Sequence, residues 1–234
     1  SCTAHLDCTT SQLCEEKVCV DAAGLRHDLG GGARALLVLN ARAGTFDIYS
    51  PKKTMLLSEA FAHAALGGHK TELRSAGMKS PAVTASQGKD ELGDHRTLRA
   101  TWTEGKLTLI WQAAYYIKSG AFVFRLGVKN LGSAKVVVDK LTPVRARGSA
   151  GGGLFLGKHP KTHRILENGA GGMTDQYAAL VMADKEKDAV TQMAPGKLEG
   201  YSASNWSHLI WDSVSGQHWI AGALTTRAAI TVMN

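Results

Sequence analysis

Apolar residues recur at every second position in the most regular segments of this chain. Leu98, Ala100 and Trp102 alternate with polar residues, and the same alternation returns over residues 107–112, after the turn at residues 103–106. Because successive side chains of a strand point to opposite faces, each segment is predicted to be a half-buried β-strand. The short turn between them predicts a β-hairpin.

Other segments extend this pattern over most of the chain. Residues 122–129 carry the strongest alternation, residues 136–141 form a second apolar run, and residues 209–211 and 218–222 flank a further turn. Residues 58–66 have a helix-forming composition, but they lie among hairpin signals, and we predict a strand there. Several strands separated by Gly and Asn turns indicate an all-β antiparallel β-sandwich rather than an α/β fold.

The length and the glycines set the predicted domain boundaries. A chain of 234 residues that is 44% hydrophobic can bury the core of one large β domain. Residues 21–34 contain Gly24 and the run Gly30 to Gly32, which predicts a flexible linker. We therefore expect a small module at 1–20, a linker at 21–34 and the sandwich at 35–234.

All four cysteines lie within the first nineteen residues, at Cys2, Cys8, Cys14 and Cys19. An even number of cysteines in a short segment with few large apolar residues predicts stabilisation by disulfides. Three pairings are possible, and we favour the interleaved one, Cys2 with Cys14 and Cys8 with Cys19. The alternative is a zinc site, which would normally have its thiolates in pairs two to four residues apart. The observed spacing fits zinc poorly.

The segment Asp7–Val20 resembles the small cysteine modules that recur in secreted bacterial proteins. That resemblance implies an extracytoplasmic location, in which the module is a spacer or a surface anchor. The chain begins at Ser1 without a methionine, which predicts removal of a signal peptide. It has no apolar run of the length that a membrane-spanning helix requires, so no membrane span is expected.

The charge of +7 comes from 27 Lys and Arg residues against 20 Asp and Glu residues, and the basic residues are scattered singly. A nucleic-acid-binding protein would concentrate its basic residues on one face, so no nucleic-acid partner is predicted. An acidic polysaccharide could use the same net charge.

No catalytic, metal or cofactor site is predicted from the motifs. The chain has neither a G-x-S-x-G elbow nor a phosphate-binding loop. His159 and His163 are four residues apart, but Pro160 disfavours the helix that would place them on one face. Candidate glycosidase carboxylates exist by residue type only, and we interpret each as a turn or surface residue; they are Glu167, Asp175 and Asp212.

The five tryptophans are the side chains best suited to stack on a sugar ring. Trp102 and Trp111 lie on the apolar faces of their strands, and we expect both to pack between sheets. Trp206 has polar neighbours and is the candidate binding residue, although a structural role is the favoured interpretation.

The order of several segments resembles the N-terminal β-sandwich of α-galactosidase (melibiase)-type glycoside hydrolases. The segments are residues 122–132, 136–144, 163–169, 211–216 and 220–225. The resemblance implies a galactose-mutarotase-like supersandwich, which in that family precedes a catalytic (β/α)₈ barrel with two aspartates. After Asn168 and Gly169 this chain continues with Ala170–Met173 instead of the aromatic residues usual in the family.

Two functions are therefore expected from the sequence. In the first, the chain is the non-catalytic accessory domain of an exported glycoside hydrolase whose barrel is a missing C-terminal partner. In the second, it is a stand-alone extracellular protein that binds carbohydrate or self-associates at a cell surface.

Overall fold

Antiparallel strands are the main secondary structure in the described part of the protein. The structure, a computed structural model, describes residues 4–9, 12–15, 17–21, 24–68, 70–146, 153–156, 163–168, 178–182, 204–205, 207–222 and 232–233. These residues contain one short 3₁₀ helix, His5–Asp7, and no α-helix. The all-β antiparallel prediction is confirmed. No helix in these ranges is long and apolar enough to cross a membrane.

The chain divides into two compact units, residues 1–154 and 155–234, where one domain was predicted over 35–234. The strands of the first unit are β1 (Gln12–Glu15), β2 (Val18–Asp21), β3 (Arg26–Gly30), β4 (Leu36–Asn40), β5 (Thr45–Tyr49), β6 (Met55–Leu66), β7 (Thr71–Arg74), β8 (Ala82–Asp90), β9 (Gly93–Glu104), β10 (Leu107–Tyr116), β11 (Phe122–Asn130), β12 (Val138–Arg145) and β13 (Gly153–Leu154).

The two main sheets of this unit are both antiparallel. The larger has seven strands in the order β12-β6-β5-β4-β3, with β7 and β13 also paired to β6. The smaller has the order β11-β10-β9-β8. Strand β12 follows β11 in the chain but pairs with β6, so the segment between them carries the chain from one sheet to the other.

The predicted hairpin is β9 and β10. Leu109 lies opposite Trp102, and Trp111 lies opposite Ala100. These four side chains are at most 1% exposed, because they share the face of the sheet that the alternation predicts to be buried. Both tryptophans are core residues, as expected.

The two sheets contact each other through aromatic rings. The Phe46 ring on β5 lies 4.9 Å from the Trp111 ring and 5.7 Å from the Phe124 ring, measured between centroids. The Trp111 indole N–H donates to the Pro143 carbonyl at 3.0 Å. Contact between these rings joins the two sheets of the first unit, and the sandwich stays a prediction. The finer supersandwich identity stays a prediction.

Residues 58–66 form the second part of β6, which confirms the strand predicted there. Ala60, Ala62, Ala64 and Ala65 are each at most 1% exposed. A strand that is buried on both faces has a continuous apolar sequence without alternation. Here that sequence is rich in alanine, which explains the helix-forming composition of residues 58–66.

The linker predicted at residues 21–34 is wrong. Strand β3 pairs with β4 through five residue pairs, and Leu29 is only 3% exposed. Gly30, Gly31 and Gly32 have φ values of 93°, 100° and 68° and close this hairpin. A side chain at Gly30 would place its Cβ 2.5 Å from the Ala35 carbonyl oxygen. The glycines therefore serve a tight turn rather than flexibility.

The cysteine-rich segment contains the hairpin β1–β2, in which Cys14 lies opposite Cys19. A disulfide joins Cys8 to Cys19, with 5.5 Å between the two Cα atoms, as predicted. Cys14 is also disulfide-bonded, and Cys2, its predicted partner, lies outside the described residues. Cysteines bonded to each other cannot supply zinc thiolates, so the zinc alternative is wrong.

The second unit contains β14 (His163–Asn168), β15 (Ala178–Met182), β16 (Ser204–Asn205), β17 (Ser207–Asp212), β18 (His218–Gly222) and β19 (Val232–Met233). Strands β15, β14, β17 and β18 form a sheet in that order, and β16 pairs with β19. The predicted hairpin of residues 209–222 is confirmed as β17 and β18.

Candidate functional site

Three polar residues form a row across the larger sheet of the first unit. On β6, His63 lies directly opposite Arg74 of β7 on one side and directly opposite Thr142 of β12 on the other. Directly opposite residues of antiparallel strands present their side chains on the same face of the sheet. The fold thus brings together three residues that are far apart in sequence, and we call them the polar row.

The polar row contains buried atoms without hydrogen-bond partners. His63 is 4% exposed, and both of its ring nitrogens lack a partner, as do the buried Arg74 Nε and the buried Thr142 Oγ1. An unsatisfied buried polar group costs about 1–3 kcal/mol, and more when it is charged. Folded proteins rarely leave such groups together, so this concentration marks the row as the candidate site.

Charged side chains surround the row. Glu72 on β7 forms an ion pair with Arg74, and its Oε1 lies 3.7 Å from His63 Nε2, which is too long for a hydrogen bond. Burial lowers the pKa of His63, Arg145 and Arg74 lower it further, and Glu72 opposes them. The hydrogen bond from Arg74 lowers the pKa of Glu72. With His63 neutral, these side chains comprise two cations and one anion.

A second polar network holds the cysteine-rich segment on the sheet. The Arg26 side chain is 3% exposed, and its Nε and Nη2 donate to the two carboxylate oxygens of Asp28 at 2.9 and 3.0 Å. Its Nη1 donates to the carbonyl oxygens of His5 at 2.7 Å, Thr9 at 3.1 Å and Gln12 at 3.3 Å. One side chain of β3 thereby binds the loop that the Cys8–Cys19 disulfide closes.

Asp47 and Tyr49 on β5 extend this network. The Tyr49 hydroxyl donates to Asp47 Oδ2 at 2.8 Å, and the Glu59 backbone N–H donates to Asp47 Oδ1 at 2.8 Å. His5 Nε2 lies 3.9 Å from Asp47 Oδ2, while His5 Nδ1 accepts from the Cys14 N–H at 2.9 Å. Burial, reinforced by Asp47, strongly raises the pKa of Tyr49. These contacts satisfy buried groups and have a structural role.

The smaller sheet carries a third polar group at the end of the β8–β9 hairpin. The Tyr116 hydroxyl donates to Asp90 Oδ2 at 2.7 Å, and the His95 ring lies 5.1 Å from the Tyr116 ring. The Tyr116 hydroxyl lowers the pKa of Asp90 by its hydrogen bond. Burial raises the pKa of Tyr116, and Asp90 adds to that effect. This pair fastens β8 to β10.

The structure describes only some of the residues predicted from the sequence as candidates. Trp206, Asp175 and His159 lie outside the described residues. Glu167 lies on β14, where the structure describes only the backbone. Asp212 is 1% exposed and its Oδ2 accepts from the Ser215 N–H at 2.7 Å, which supports its interpretation as a turn residue. Trp206 therefore stays a prediction.

The polar row was missed from the sequence. One local signal was present: a single histidine interrupts the apolar run from Phe61 to Leu66. The partners of that histidine depend on the pairing of β6 with β7 and β12, which no local pattern specifies.

In the described ranges no group of three or more His, Cys, Asp and Glu residues is placed to hold a metal ion. Comparisons with models of protein families, with curated proteins and with solved structures found no match to this chain.

Proposed function

We propose that this chain is a non-catalytic accessory β domain of an exported α-galactosidase-like glycoside hydrolase. The observation that carries the proposal is the position of the family-like segments in the structure. Residues 122–130 form β11, residues 138–144 lie in β12, residues 163–168 form β14, and residues 213–216 form the turn between β17 and β18. Segments that follow the order of a β-sandwich family therefore lie on antiparallel strands and at their turns.

The disulfide supports the proposed export. Disulfides form and persist in oxidising compartments, where no thiol system reduces them. Cys8–Cys19 closes a loop that Arg26 binds from β3, so the covalent link is part of the packed unit. A secreted, periplasmic or cell-surface location follows from this proposal.

The reading frame beyond Asn234 tests the accessory role. We expect it to continue for several hundred codons with alternating strand and helix patterns, as a (β/α)₈ barrel requires. A stop codon directly after Asn234 would contradict the proposal.

A second function is carbohydrate binding by the chain itself, without an attached enzyme. The net charge of +7 and the donor-rich polar row favour it, in particular for acidic glycans. A glycan array tests it directly, with Trp206→Ala as the variant and Val214→Ala, at a turn position that is 79% exposed, as the surface control. Binding that is lost in Trp206→Ala alone supports sugar stacking. Absence of binding to every glycan contradicts this second function.

A further inference from the structure

The orphaned atoms of the polar row point to a ligand that accepts hydrogen bonds. We propose that the polar row binds one carboxylate-sized anion between the Arg74 Nε–H, the Thr142 hydroxyl and the His63 ring. Arg74 Nε is only a donor, the hydroxyl can donate, and a histidine donates from one ring nitrogen when neutral and from both when protonated. The three side chains lie on one face of adjacent strands, with His63 between the other two.

The charges favour an anion over water. Arg74 and Arg145 act on the His63 ring as cations and Glu72 as an anion, and the orphaned Nε–H belongs to the Arg74 cation. A hydrogen bond from a guanidinium to an anion is stronger than one to water, so a monoanion satisfies this buried donor better than a bound water does. A metal cation would be repelled by the same charges.

Solvent reaches the polar row at the β7 edge of the sheet. Among the described strands β7 pairs with β6 alone, and the Arg74 and Glu72 side chains are 42% and 38% exposed. The Arg74 side chain therefore extends from solvent to the buried Nε. An anion can reach that N–H along the guanidinium and then contact His63 without crossing the apolar core.

Binding is coupled to a proton on His63. Burial and two neighbouring guanidinium groups disfavour the imidazolium in the free protein, and a bound anion offsets both effects. Strand β12 carries two further charged residues beside the row, Lys140, which lies opposite Ala65 of β6, and Asp139; both are exposed. The anion therefore binds more tightly as the pH falls, by up to about tenfold per pH unit while one proton is taken up.

Imidazole resonances of the ¹⁵N-labelled full chain test the site. The chain is titrated with sodium formate and, separately, with sodium glucuronate at constant ionic strength, near pH 7 and near pH 6. We expect a saturable change of the His63 signals toward the imidazolium pattern, with His95 unchanged as the internal reference. A response to formate alone identifies a free small carboxylate, and a response to glucuronate identifies the acid group of a sugar. Either response supports the site.

Matched variants separate binding from a general salt effect. Arg74→Gln removes the Nε–H, and Thr142→Val removes the hydroxyl at nearly constant volume, so each should weaken binding at least about tenfold. The controls are Arg99→Gln, which is exposed on β9, and Thr101→Val on the same strand; both should bind as the parent chain does.

The nearly isosteric Thr142→Val variant keeps the test valid if Arg74→Gln does not fold. No saturable change at His63 with either salt would overturn the proposal, as would equal affinity in Thr142→Val and Thr101→Val. The readout needs no enzymatic activity, so the anion site and the accessory-domain proposal stand or fail separately.

Discussion

Arg26 should contribute a large share of the stability of this protein, because its buried guanidinium joins the cysteine-rich segment to β3. The substitution Arg26→Met keeps the apolar stem of the side chain and removes every hydrogen bond of the head. Two charge-assisted bonds to the nearest carbonyls, those of His5 at 2.7 Å and Thr9 at 3.1 Å, are lost. Each is worth about 1.5–3 kcal/mol.

The Asp28 pair adds less, since that side chain is 32% exposed and water can replace the arginine; we assign it at most about 1 kcal/mol. Because these contributions are not additive, we expect Arg26→Met to lower the free energy of unfolding by about 3–5 kcal/mol in total. That is a large fraction of the stability typical of domains. The measurement is urea unfolding followed by circular dichroism, with the slope checked for two-state behaviour.

Reduction of Cys8–Cys19 by dithiothreitol under native conditions gives an independent readout. If the free energy of local opening of the loop falls by about 3 kcal/mol, the equilibrium constant for opening rises by more than about a hundredfold. The rate of disulfide reduction should rise with it. Arg99→Met, on the exposed face of β9, is the matched control. A loss below about 1 kcal/mol in Arg26→Met, or a reduction rate equal to that of Arg99→Met, would refute the reasoning.

Two further substitutions test particular contacts. Gly44→Ala should lower the free energy of unfolding in urea by more than about 3 kcal/mol, because its φ is 69° and a Cβ there would lie 1.8 Å from the Ser75 carbonyl oxygen. The control is Gly67→Ala, which has a φ of 62° and no atom within 4 Å of its Cβ, and which should lower that free energy by about 1 kcal/mol. Equal losses in the two variants would contradict the argument. Asp90→Asn should lower the melting temperature at neutral pH, because the hydrogen bond from Tyr116 lowers the pKa of Asp90 in the folded state. The difference from the parent chain should begin to shrink as the pH falls below about 4 and should vanish below the folded-state pKa of Asp90. Asp94→Asn is the control, and a difference that persists in stronger acid would show that charge is not the cause.

The sequence predicted the elements whose signal is local. Alternation at Leu98, Ala100 and Trp102 defined a strand, its buried face and its hairpin partner, because the period of two is a property of one segment. The same local reasoning failed at Gly30 to Gly32. A glycine run has the same composition in a flexible linker and in a tight hairpin turn, and the positive φ values that distinguish the two depend on the pairing of β3 with β4.

The candidate site depends on contacts between distant segments. His63, Arg74 and Thr142 become neighbours only because β12, which follows β11 in the chain, pairs with β6 of the other sheet. Strand pairing over such separations is not specified by the composition of either strand. The burial that lowers the pKa of His63 likewise arises from the complete sheet rather than from its neighbours in sequence.

Hydrolysis of an α-galactoside tests the proposed function most directly. Residues 1–234 are expressed alone and also together with the sequence that follows Asn234 in the reading frame, and release of nitrophenol from 4-nitrophenyl α-galactoside is measured for both. The proposed accessory role predicts hydrolysis by the longer protein and none by the 234-residue chain. Hydrolysis by the chain alone, or none by the longer protein, would contradict it.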